Sequence, residues 1–531
     1  MDALTLISFV FFTALVAYGT WRITRNDECS TSDGFFLGGR SLTFPFIAGS
    51  LLLTNLSTEQ LVGLNGGAFK EGIAVMVWEI FAVLALVTMA LFFLPRFLKS
   101  GITTVPEFLA LRFSKSTEAV ANCIFLAAYT FVLLPIILYT GATGMVGILN
   151  IDKLLGLPYQ QTLNLITVTV AVIGAIYALF GGLKSVAVSD TLNGIGLLVG
   201  GMMIVFFGLA AVGDGEILRG WTVLRESHPE KFNPMGGPDS TVPFSTIFTG
   251  ILLINLFYWC TNQQIIQRTF GAKSLAEGQK GVLLTAGLKM LGPLYLVLPG
   301  IIAFHLFSKE IAPKDSDLAY GRLVVSVLPT PLVGFFSAVL LGAILSSFNS
   351  VLNSTCTMFS LGVYKAKIRP DASQAEIVRN SRIVGLIVTI FAILVAPMLG
   401  ATGGIFQYLQ GMNSIYFIPI FAVVVFGFMN KRTPALAANV GLIGGVAVLC
   451  ITSFVTPVVE FLKPIPSFHQ VAIVFVLLMV MMWVITKVKP RAQAWEQVDS
   501  KLVDLTPWKY AKVWGVFFVA AVGVTYAVFM I

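Results

Sequence analysis

The stretch LLLTNLSTEQLVGLNG, residues 51–66, decides the predicted fold, because it starts like the middle of an apolar helix and then fills with small and polar residues. Its polar part runs from Thr54 to Gln60 and includes Glu59. Within a membrane, irregular backbone is tolerated where it is buried in protein or lines a water-filled cavity. The stretch therefore predicts a broken membrane helix beside an internal site.

The composition supports a membrane protein. Of the 531 residues, 56% are hydrophobic and 11% are charged, against about 25% charged in an average soluble domain. Apolar windows of about 20 residues can cross a hydrocarbon core about 30 Å thick. We find fourteen, starting near residues 4, 43, 74, 119, 161, 186, 243, 282, 321, 383, 406, 433, 468 and 511. The first, Leu4 to Trp21, has no positive segment before it and no small-residue cleavage site after it, so we expect a retained helix.

The positions of the basic residues predict the orientation. With the N-terminus outside, most of the 34 Lys and Arg residues fall on the cytoplasmic side, Arg268 among them as a loop residue. The positive-inside rule then places both termini outside. We expect a multi-pass plasma-membrane protein, in the bacterial inner membrane. The net charge of +8 is explained by this asymmetry, and we expect no nucleic-acid partner.

The sequence does not indicate an enzyme. Its longest polar stretches have only about 30 residues, such as Gly213 to Val242, so a soluble catalytic domain has no room. No nucleophile–base pair or metal motif is evident. The five cysteines contain no CxxC, and the three histidines, His228, His305 and His469, are far apart in sequence and are expected to be interfacial.

The order of the predicted helices indicates an internal repeat within a single transmembrane domain, residues 1–531. After a lead helix in residues 1–24, residues 42–212 hold five helices, residues 240–430 hold five more, and residues 431–531 hold three peripheral helices. Because five is odd, the second set is inverted relative to the first. Its first helix is also interrupted by polar residues, in INLFYWCTNQQIIQRT, residues 254–269. Two broken helices point to a central site.

Four ionisable residues lie in predicted helices: Glu59, Glu79, Asp190 and Lys289. On insertion scales, a central Asp, Lys or Arg costs about 2.5 to 3.5 kcal/mol, so such residues are functional candidates by default. Two alternatives stay open. Lys289 could extend to the cytoplasmic surface, and Asp190 could be a helix cap or an interfacial acid.

A serine-rich helix, VLLGAILSSFNSVLNSTCTMFS, residues 339–360, supplies oxygen ligands. Hydroxyls of Ser346 and Ser347, together with carbonyls freed by a broken helix, could bind a hard cation such as Na⁺. For Ser354 and Thr355 we favour simple helix packing. Aromatic residues next to hydrogen-bonding side chains, as at Tyr258, favour an uncharged polyhydroxylated solute.

Six segments together resemble the sodium/solute symporter family, and they are most similar to its sodium-coupled glucose and galactose branch. The similarity runs in the same order from residue 33 to about residue 430. The segments are DGFFLGGRSL (33–42), NLSTEQLVG (55–63), GITTVPEFLALRF (101–113), YALFGGLKSVAVSD (177–190), NLFYWCTNQQIIQRTFGAKSLAEGQKG (255–281) and SSFNSVLNSTCTMFSLGVYK (346–365). The resemblance implies a leucine-transporter-type fold of five plus five inverted helices, in an all-α polytopic protein of 14 transmembrane helices.

The resemblance also implies roles for individual residues. The implied Na⁺ ligands are the carbonyls of Leu53, Leu56 and Ala343 and the hydroxyls of Ser346 and Ser347. The implied sugar contacts are Gln60, Glu79, Asn255, Lys289 and Gln410. The implied gates are Tyr258 on the inner side and Leu64, Trp78 and Phe406 on the outer side, with Asp190 on the cation pathway. Asp190, Asn349 and Ser350 leave a second Na⁺ site open.

The sequence departs from the galactose carriers at two positions. Leu133 stands where they have an Asn, and Ala82 stands where they have a Ser. The loss of two hydrogen-bonding partners leaves the identity of the sugar open.

The expected function is therefore sodium-coupled secondary active symport of a hexose-like sugar by alternating access. The expected partners are Na⁺, the sugar and membrane lipid, and the expected state is a monomer or a weak dimer. The alternatives are a sodium symporter of the same fold for sialic acid, a polyol or an amino acid, and a sugar-gated sensor or channel without tight coupling. Glu59 has no assigned role.

Overall fold

The computed structural model describes residues 3–530 except residues 28, 150, 239 and 400–404, and without the side chains of residues 153, 154, 405–407 and 530. The described chain is helical, with two isolated β-bridges and no strand. Ten helices are long and apolar enough to cross a membrane, or up to 12 if each of two bent pairs forms one span. The prediction of an all-α membrane protein is confirmed.

The helices of the N-terminal part include the lead helix and the first broken helix. They are α1 (Ala3–Thr24), α2 (Ser32–Leu37), α3 (Phe44–Asn55), α4 (Thr58–Glu71), α5 (Val77–Thr88), α6 (Leu94–Ser100), α7 (Val105–Arg112), α8 (Lys115–Ala127), α9 (Leu134–Leu149), α10 (Ile151–Leu155), α11 (Tyr159–Val212) and α12 (Ile217–Ser227).

The helices of the C-terminal part start with the second broken helix. They are α13 (Leu252–Cys260), α14 (Gln263–Phe270), α15 (Leu275–Met290), α16 (Leu298–Phe307), α17 (Ala319–Val327), α18 (Thr330–Phe359), α19 (Gln374–Val395), α20 (Ile405–Met429), α21 (Ala435–Phe454), α22 (Thr456–Leu462), α23 (Ser467–Val488) and α24 (Ala511–Met530).

The polar stretch at residues 54–60 breaks its helix, as predicted. Leu56, with φ −81° and ψ 57°, and Ser57, with φ −77° and ψ 172°, are non-helical and separate α3 from α4. The last four carbonyls of a helix have no partner within it. The amide of Leu56 donates to the carbonyl of Leu52, so the carbonyls that follow Leu52 have no partner within α3.

The second predicted break lies between α13 and α14. Thr261 and Asn262 have non-helical backbone angles, and the chain bends by 41° there. Both polar interruptions that the sequence indicates are therefore interruptions of the helical backbone.

The 54-residue helix α11 is bent at a glycine. At about 1.5 Å per residue it is far longer than a hydrocarbon core of about 30 Å. Gly182 has φ 60° and ψ −172°, and a Cβ added there would lie 2.9 Å from the carbonyl oxygen of Phe35. The bend therefore requires a glycine, both for its dihedral angles and because the backbone of α2 at Phe35 comes so close.

A segment between α23 and α24 crosses one end of the bundle. The side chain of Gln497 donates to the carbonyl of Arg96, 401 residues away in the sequence. The amide of Ser500 donates to the carbonyl of Lys99 at 2.9 Å, and Trp495 Nε1 donates to the carbonyl of Leu111 at 3.1 Å. We call residues 495–500 the strap, because they fasten the ends of α6 and α7.

Candidate functional site

A small cavity lies between the two broken helices. Five of the residues with a predicted role at the solute site line it: Gln60, Trp78, Asn255, Tyr258 and Gln410. Its volume is about 40 Å³, little more than the roughly 30 Å³ that one water molecule occupies in the liquid. The cavity is therefore nearly closed in this conformation and must widen to hold a solute of several heavy atoms.

A buried ion pair stands behind the cavity wall. Lys289 Nζ donates to Glu79 Oε2 at 2.7 Å, and neither side chain has any exposed surface. The other oxygen of Glu79 accepts a hydrogen bond from Gln60, and Lys289 also donates to the side-chain oxygen of Asn55. Lys289 therefore does not extend to the cytoplasmic surface, and its charge is neutralised where it stands.

Sequence reasoning missed Asn55 and Trp259, which also line the cavity. Asn55 is the last residue of α3, and Lys289 Nζ lies 5.7 Å from the ring centroid of Trp259. Asn55 could have been found from the sequence, because it lies inside the polar interruption itself. Trp259 follows Tyr258 in the second broken helix, where the sequence analysis gave roles to Asn255 and Tyr258 but not to Trp259.

The predicted gates are only partly brought together. Tyr258 and Trp78 line the cavity, and the ring of Trp78 packs edge-on against Phe468 of α23, with 5.6 Å between centroids. Leu64 is buried in α4 but is not among the lining residues. The side chain of Phe406 lies outside the described residues.

Two of the predicted Na⁺ ligands, Ser346 and Ser347 of α18, contact Thr54 near the end of α3. The hydroxyl of Ser347 donates to the carbonyl of Thr54 at 3.3 Å, and Ser346 Oγ lies 3.4 Å from Thr54 Oγ1. Leu53 and Leu56 flank Thr54 on either side of the helix end, and all of these side chains are buried. Thr54 is an oxygen-bearing neighbour to which the sequence analysis gave no role.

The chemistry of this donor set fits Na⁺. Hard cations prefer oxygen ligands, and proteins bind Ca²⁺ largely through carboxylates. The predicted ligands here are backbone carbonyls and serine hydroxyls, all of them uncharged. Within the described residues, no group of three or more His, Cys, Asp or Glu side chains could hold a metal ion. A neutral oxygen site suits a monovalent cation better than a divalent one.

Asp190 lies in a buried cluster with Arg268, and two earlier interpretations of these residues are wrong. Asp190 is buried inside α11, so it is neither a helix cap nor an interfacial acid. Arg268 is 1% exposed and lies in α14, so it does not belong to a cytoplasmic loop. Arg268 Nη2 lies 3.6 Å from Asp190 Oδ2. Ser50 joins the two, because it donates to Asp190 at 2.5 Å and accepts from Arg268 Nε at 2.7 Å.

The cluster continues to the predicted Na⁺ ligands. Arg268 donates to the hydroxyl of Ser350, and Ser350 Oγ lies 3.2 Å from Thr54 Oγ1. A continuous chain of polar contacts thus connects Asp190 with the end of α3. The sequence left a second Na⁺ site open at three residues. The guanidinium group of Arg268 lies beside two of them, Asp190 and Ser350. The side-chain oxygen of the third, Asn349, is buried without a partner in the described part of the chain.

The histidines lie away from this cavity, but two of them meet. Nε2 of His228 and Nδ1 of His305 are 3.1 Å apart. His469 has its ring nitrogens 3.1 Å from Thr249 Oγ1 and 3.2 Å from Ser245 Oγ. His469 therefore joins the start of α23 to the segment that precedes α13.

Comparison with known proteins gives a consistent result. The model of the sodium:solute symporter family matches residues 35–445. The uncharacterized symporter YidK of Escherichia coli (strain K12) is 44% identical over 529 residues, which cover 99% of this chain and 90% of YidK. The sodium/glucose cotransporter of Vibrio parahaemolyticus is 31% identical over 82% of each chain. Sodium/myo-inositol cotransporter 2 of Oryctolagus cuniculus is 30% identical over 87% of this chain and 70% of the cotransporter.

Two solved structures share the fold. A Na⁺-coupled sialic acid symporter in a substrate-bound outward-open state has a TM-score of 0.76 at 18% identity, covering 94% of this chain and all of the symporter. The nucleobase-cation-symport-1 family transporter Mhp1, in a closed conformation, has a TM-score of 0.51 at 16% identity, covering 85% of this chain and 94% of Mhp1. These likenesses show that the chain shares its fold with these two proteins.

Proposed function

Because the chain belongs to the sodium:solute symporter family, and is thus a multi-pass membrane transporter and not an enzyme, we propose that it imports an uncharged, hexose-like sugar together with Na⁺ by alternating access. The observation that carries this proposal is the cavity between the two broken helices. Its amide side chains can exchange hydrogen bonds with hydroxyl groups, and its aromatic rings can pack against the face of a sugar ring.

The charge of the cavity wall favours an uncharged solute. Lys289 stands behind the cavity wall, and it is engaged by Glu79 at 2.7 Å and by Asn55. A carboxylate-bearing solute, such as sialic acid or an amino acid, would have to compete with Glu79 for this ammonium group. The other amide side chains that line the cavity are those of Gln60, Asn255 and Gln410, and they are neutral.

A polyol such as myo-inositol is the second candidate. It carries hydroxyl groups on a six-membered ring, like a hexose, and the same amides could bind it. The 30% identity to a sodium/myo-inositol cotransporter supports it, as the 31% identity to a sodium/glucose cotransporter supports a hexose.

Na⁺ is the coupled ion in this proposal, bound by the carbonyls of Leu53, Leu56 and Ala343 and by Ser346 and Ser347. An ion between the end of α3 and α18 would hold these helices together and fix the break beside the solute cavity. In the same scheme, Tyr258 closes the inner side, while Trp78, Leu64 and Phe406 close the outer side. Asp190, through Arg268 and Ser350, lies on the route of the ion to the cytoplasm.

One coupled ion is sufficient for useful uptake. At roughly 100 mV, one charge moving inward supplies about 2.3 kcal/mol, and a tenfold Na⁺ gradient adds about 1.4 kcal/mol. The sum of about 3.7 kcal/mol corresponds to an upper limit of about 500-fold accumulation.

We place the helices accordingly. Residues 42–212 and 240–430 form the two inverted five-helix repeats, with a lead helix in residues 1–24 and three peripheral helices in residues 431–531. Beyond the ten long helices, each bent pair forms one span, and the bend at Gly182 divides α11 into two. The short helix α3 forms a further span with α4, separate from the span that begins at α5, which gives 14 spans with both termini outside. The protein works in the bacterial inner membrane as a monomer or a weak dimer.

Uptake into proteoliposomes tests the proposal. Labelled hexoses, myo-inositol, sialic acid and an amino acid are offered under inward gradients of Na⁺, K⁺ or H⁺ in turn. We expect accumulation of a hexose that requires the Na⁺ gradient. Equal uptake under all three gradients would refute coupling to Na⁺, and hexose equilibration without accumulation would indicate a channel. If only a charged solute of this panel is taken up, the assignment of an uncharged sugar as the substrate is refuted.

A further inference from the structure

A second, larger cavity lies beside α4 and is separate from the solute cavity. Its volume is about 280 Å³, and its walls come from α4, α9, α17 and the turn before α17. The residues that define it for the present argument are Thr58, Glu59, Gly147, Asp317 and Arg322. We call it the flank cavity. It shares none of its lining residues with the solute cavity, although Glu59 and Gln60 are neighbours in the chain.

Glu59 gives the flank cavity an uncompensated charge. Its side chain is 7% exposed, and within the described part of the chain no Lys, Arg or His nitrogen lies within 4.0 Å of its carboxylate. A carboxylate at membrane depth normally has a partner or a function. The adjacent hydroxyl of Thr58 is also buried, and it has no hydrogen-bond partner among the described residues.

The rim of the cavity does not supply the missing cation. Arg322 Nη2 lies 3.3 Å from Glu310 Oε2, so this guanidinium already has a carboxylate partner. Asp317 lies at the same wall, because a Cβ added to Gly66 of α4 would lie 2.6 Å from Asp317 Oδ1. We assign the negative charge of the cavity to Glu59 alone.

The size and the remaining walls indicate the kind of cation. Small-molecule sites have volumes of about 300 to 1,000 Å³, so this cavity is larger than a bare metal ion needs and lies at the lower limit for an organic molecule. Val62, Ile148, Leu318 and Val325 give it an apolar surface. A Cβ added to Gly147 would meet no atom within 4 Å, so the space in front of this residue is open.

We propose that the flank cavity binds the ammonium group of a small organic cation, with the ammonium group at Glu59 and the apolar part against Val62, Ile148 and Val325. Thr58 accepts a hydrogen bond from the same group. The ammonium group can belong to a free amine or to the head group of an aminophospholipid, since the chemistry of recognition is the same.

Titration calorimetry on the full-length protein tests this binding, with the protein in bilayers of phosphatidylglycerol alone. The probe is n-butylammonium, and its uncharged and anionic counterparts are n-butanol and butyrate. We expect saturable binding of n-butylammonium and no saturable binding of n-butanol or butyrate. Glu59→Gln keeps the size of the side chain and removes its charge, so the affinity should fall at least tenfold. Equal binding of n-butanol, or unchanged affinity in Glu59→Gln, would overturn the proposal.

A second variant keeps the charge and fills the space. Gly147→Leu places a side chain in the open volume and should also abolish binding, while Na⁺-driven uptake shows that the protein is folded. Binding that persists in Gly147→Leu would place the amine elsewhere and overturn the proposal.

Bilayers that contain phosphatidylethanolamine distinguish the two sources of the ammonium group. If binding of n-butylammonium weakens there in the wild type, the lipid head group competes for the cavity. If binding is unchanged, the ligand is a free amine.

Discussion

Lys289 Nζ and Glu79 Oε2 lie 2.7 Å apart with no exposed side-chain surface on either residue. This ion pair stands directly behind the solute cavity, because Glu79 also holds Gln60, and Lys289 also holds Asn55. The pair therefore sets the positions of two cavity-lining amides without presenting a net charge to the solute.

Glu79→Gln should destabilise the protein strongly. Removing one partner of a buried pair leaves the other charge uncompensated, at a cost of about 3 to 5 kcal/mol. Thermal unfolding in detergent measures this loss. The double variant Glu79→Gln with Lys289→Gln removes both charges and should recover much of the stability, yet it should not recover uptake. Equal stability of the single variant and the wild type would contradict the pairing.

Ser347→Ala should weaken the response to Na⁺. The lost hydroxyl is a proposed ligand, and a buried group left unsatisfied costs about 1 to 3 kcal/mol, which corresponds to a rise of about 5- to 150-fold in the half-saturating Na⁺ concentration. The matched control is Ser354→Ala in the same helix, whose hydroxyl donates to Gln267 at 2.9 Å. The same half-saturating concentration in both variants would show that the ion binds elsewhere.

Asn255→Ala should weaken binding of the solute by about 1 to 3 kcal/mol, measured as competition against a labelled hexose. Asn65→Ala is the matched control, because both side chains donate to a carbonyl one turn earlier, that of Ile251 or Leu61, but Asn65 does not line the cavity. If Asn65→Ala weakens competition as much as Asn255→Ala, the effect is structural and the assignment of Asn255 fails.

Arg268→Lys should destabilise the protein although it keeps the charge. The guanidinium of Arg268 reaches Ser50 and Ser350 at once and lies 3.6 Å from Asp190, and a lysine has no such planar fork. We expect a lower melting temperature for Arg268→Lys. The surface variant Arg219→Lys is the control, because its ion pair with Asp214 is exposed and worth about 0 to 1 kcal/mol. Equal melting temperatures would show that the fork is dispensable.

Gly182→Ala should destabilise the bend in α11. A residue with a side chain at φ 60° and ψ −172° is strained by about 1 to 3 kcal/mol, and the added Cβ would also meet Phe35. Gly444→Ala in α21 is the opposite case, since its Cβ would meet nothing within 4 Å, and alanine gains up to about 1 kcal/mol in a helix interior. A loss of stability in both variants would contradict this account.

The helical class and both helix breaks follow from the sequence, because hydropathy and polar interruptions are local signals. LLLTNLSTEQ indicates the end of α3 directly, since polar residues within an apolar run mark the position where the backbone leaves the helix. In the same way, the hydroxyls of Ser346 and Ser347 stand out within an apolar helix.

The pairing of Arg268 could not be predicted in this way. The sequence places Arg268 next to a boundary rich in polar residues, where an arginine normally marks the cytoplasmic surface. Its burial depends on Asp190, 78 positions earlier in the chain, and on Ser50 between them. The flank cavity was missed for a similar reason: helices far apart in sequence enclose it, and Glu59 alone does not reveal them.

The strap has a consequence for biosynthesis. The carbonyl of Arg96 receives its hydrogen bond from Gln497, 401 residues later. At about 5 to 20 residues per second of synthesis, this partner emerges roughly 20 to 80 s after the helix that needs it. The end of α6 therefore stays incomplete while nearly the whole protein is made, and a ribosome that stops before residue 497 releases a chain whose early helices lack their final fastening.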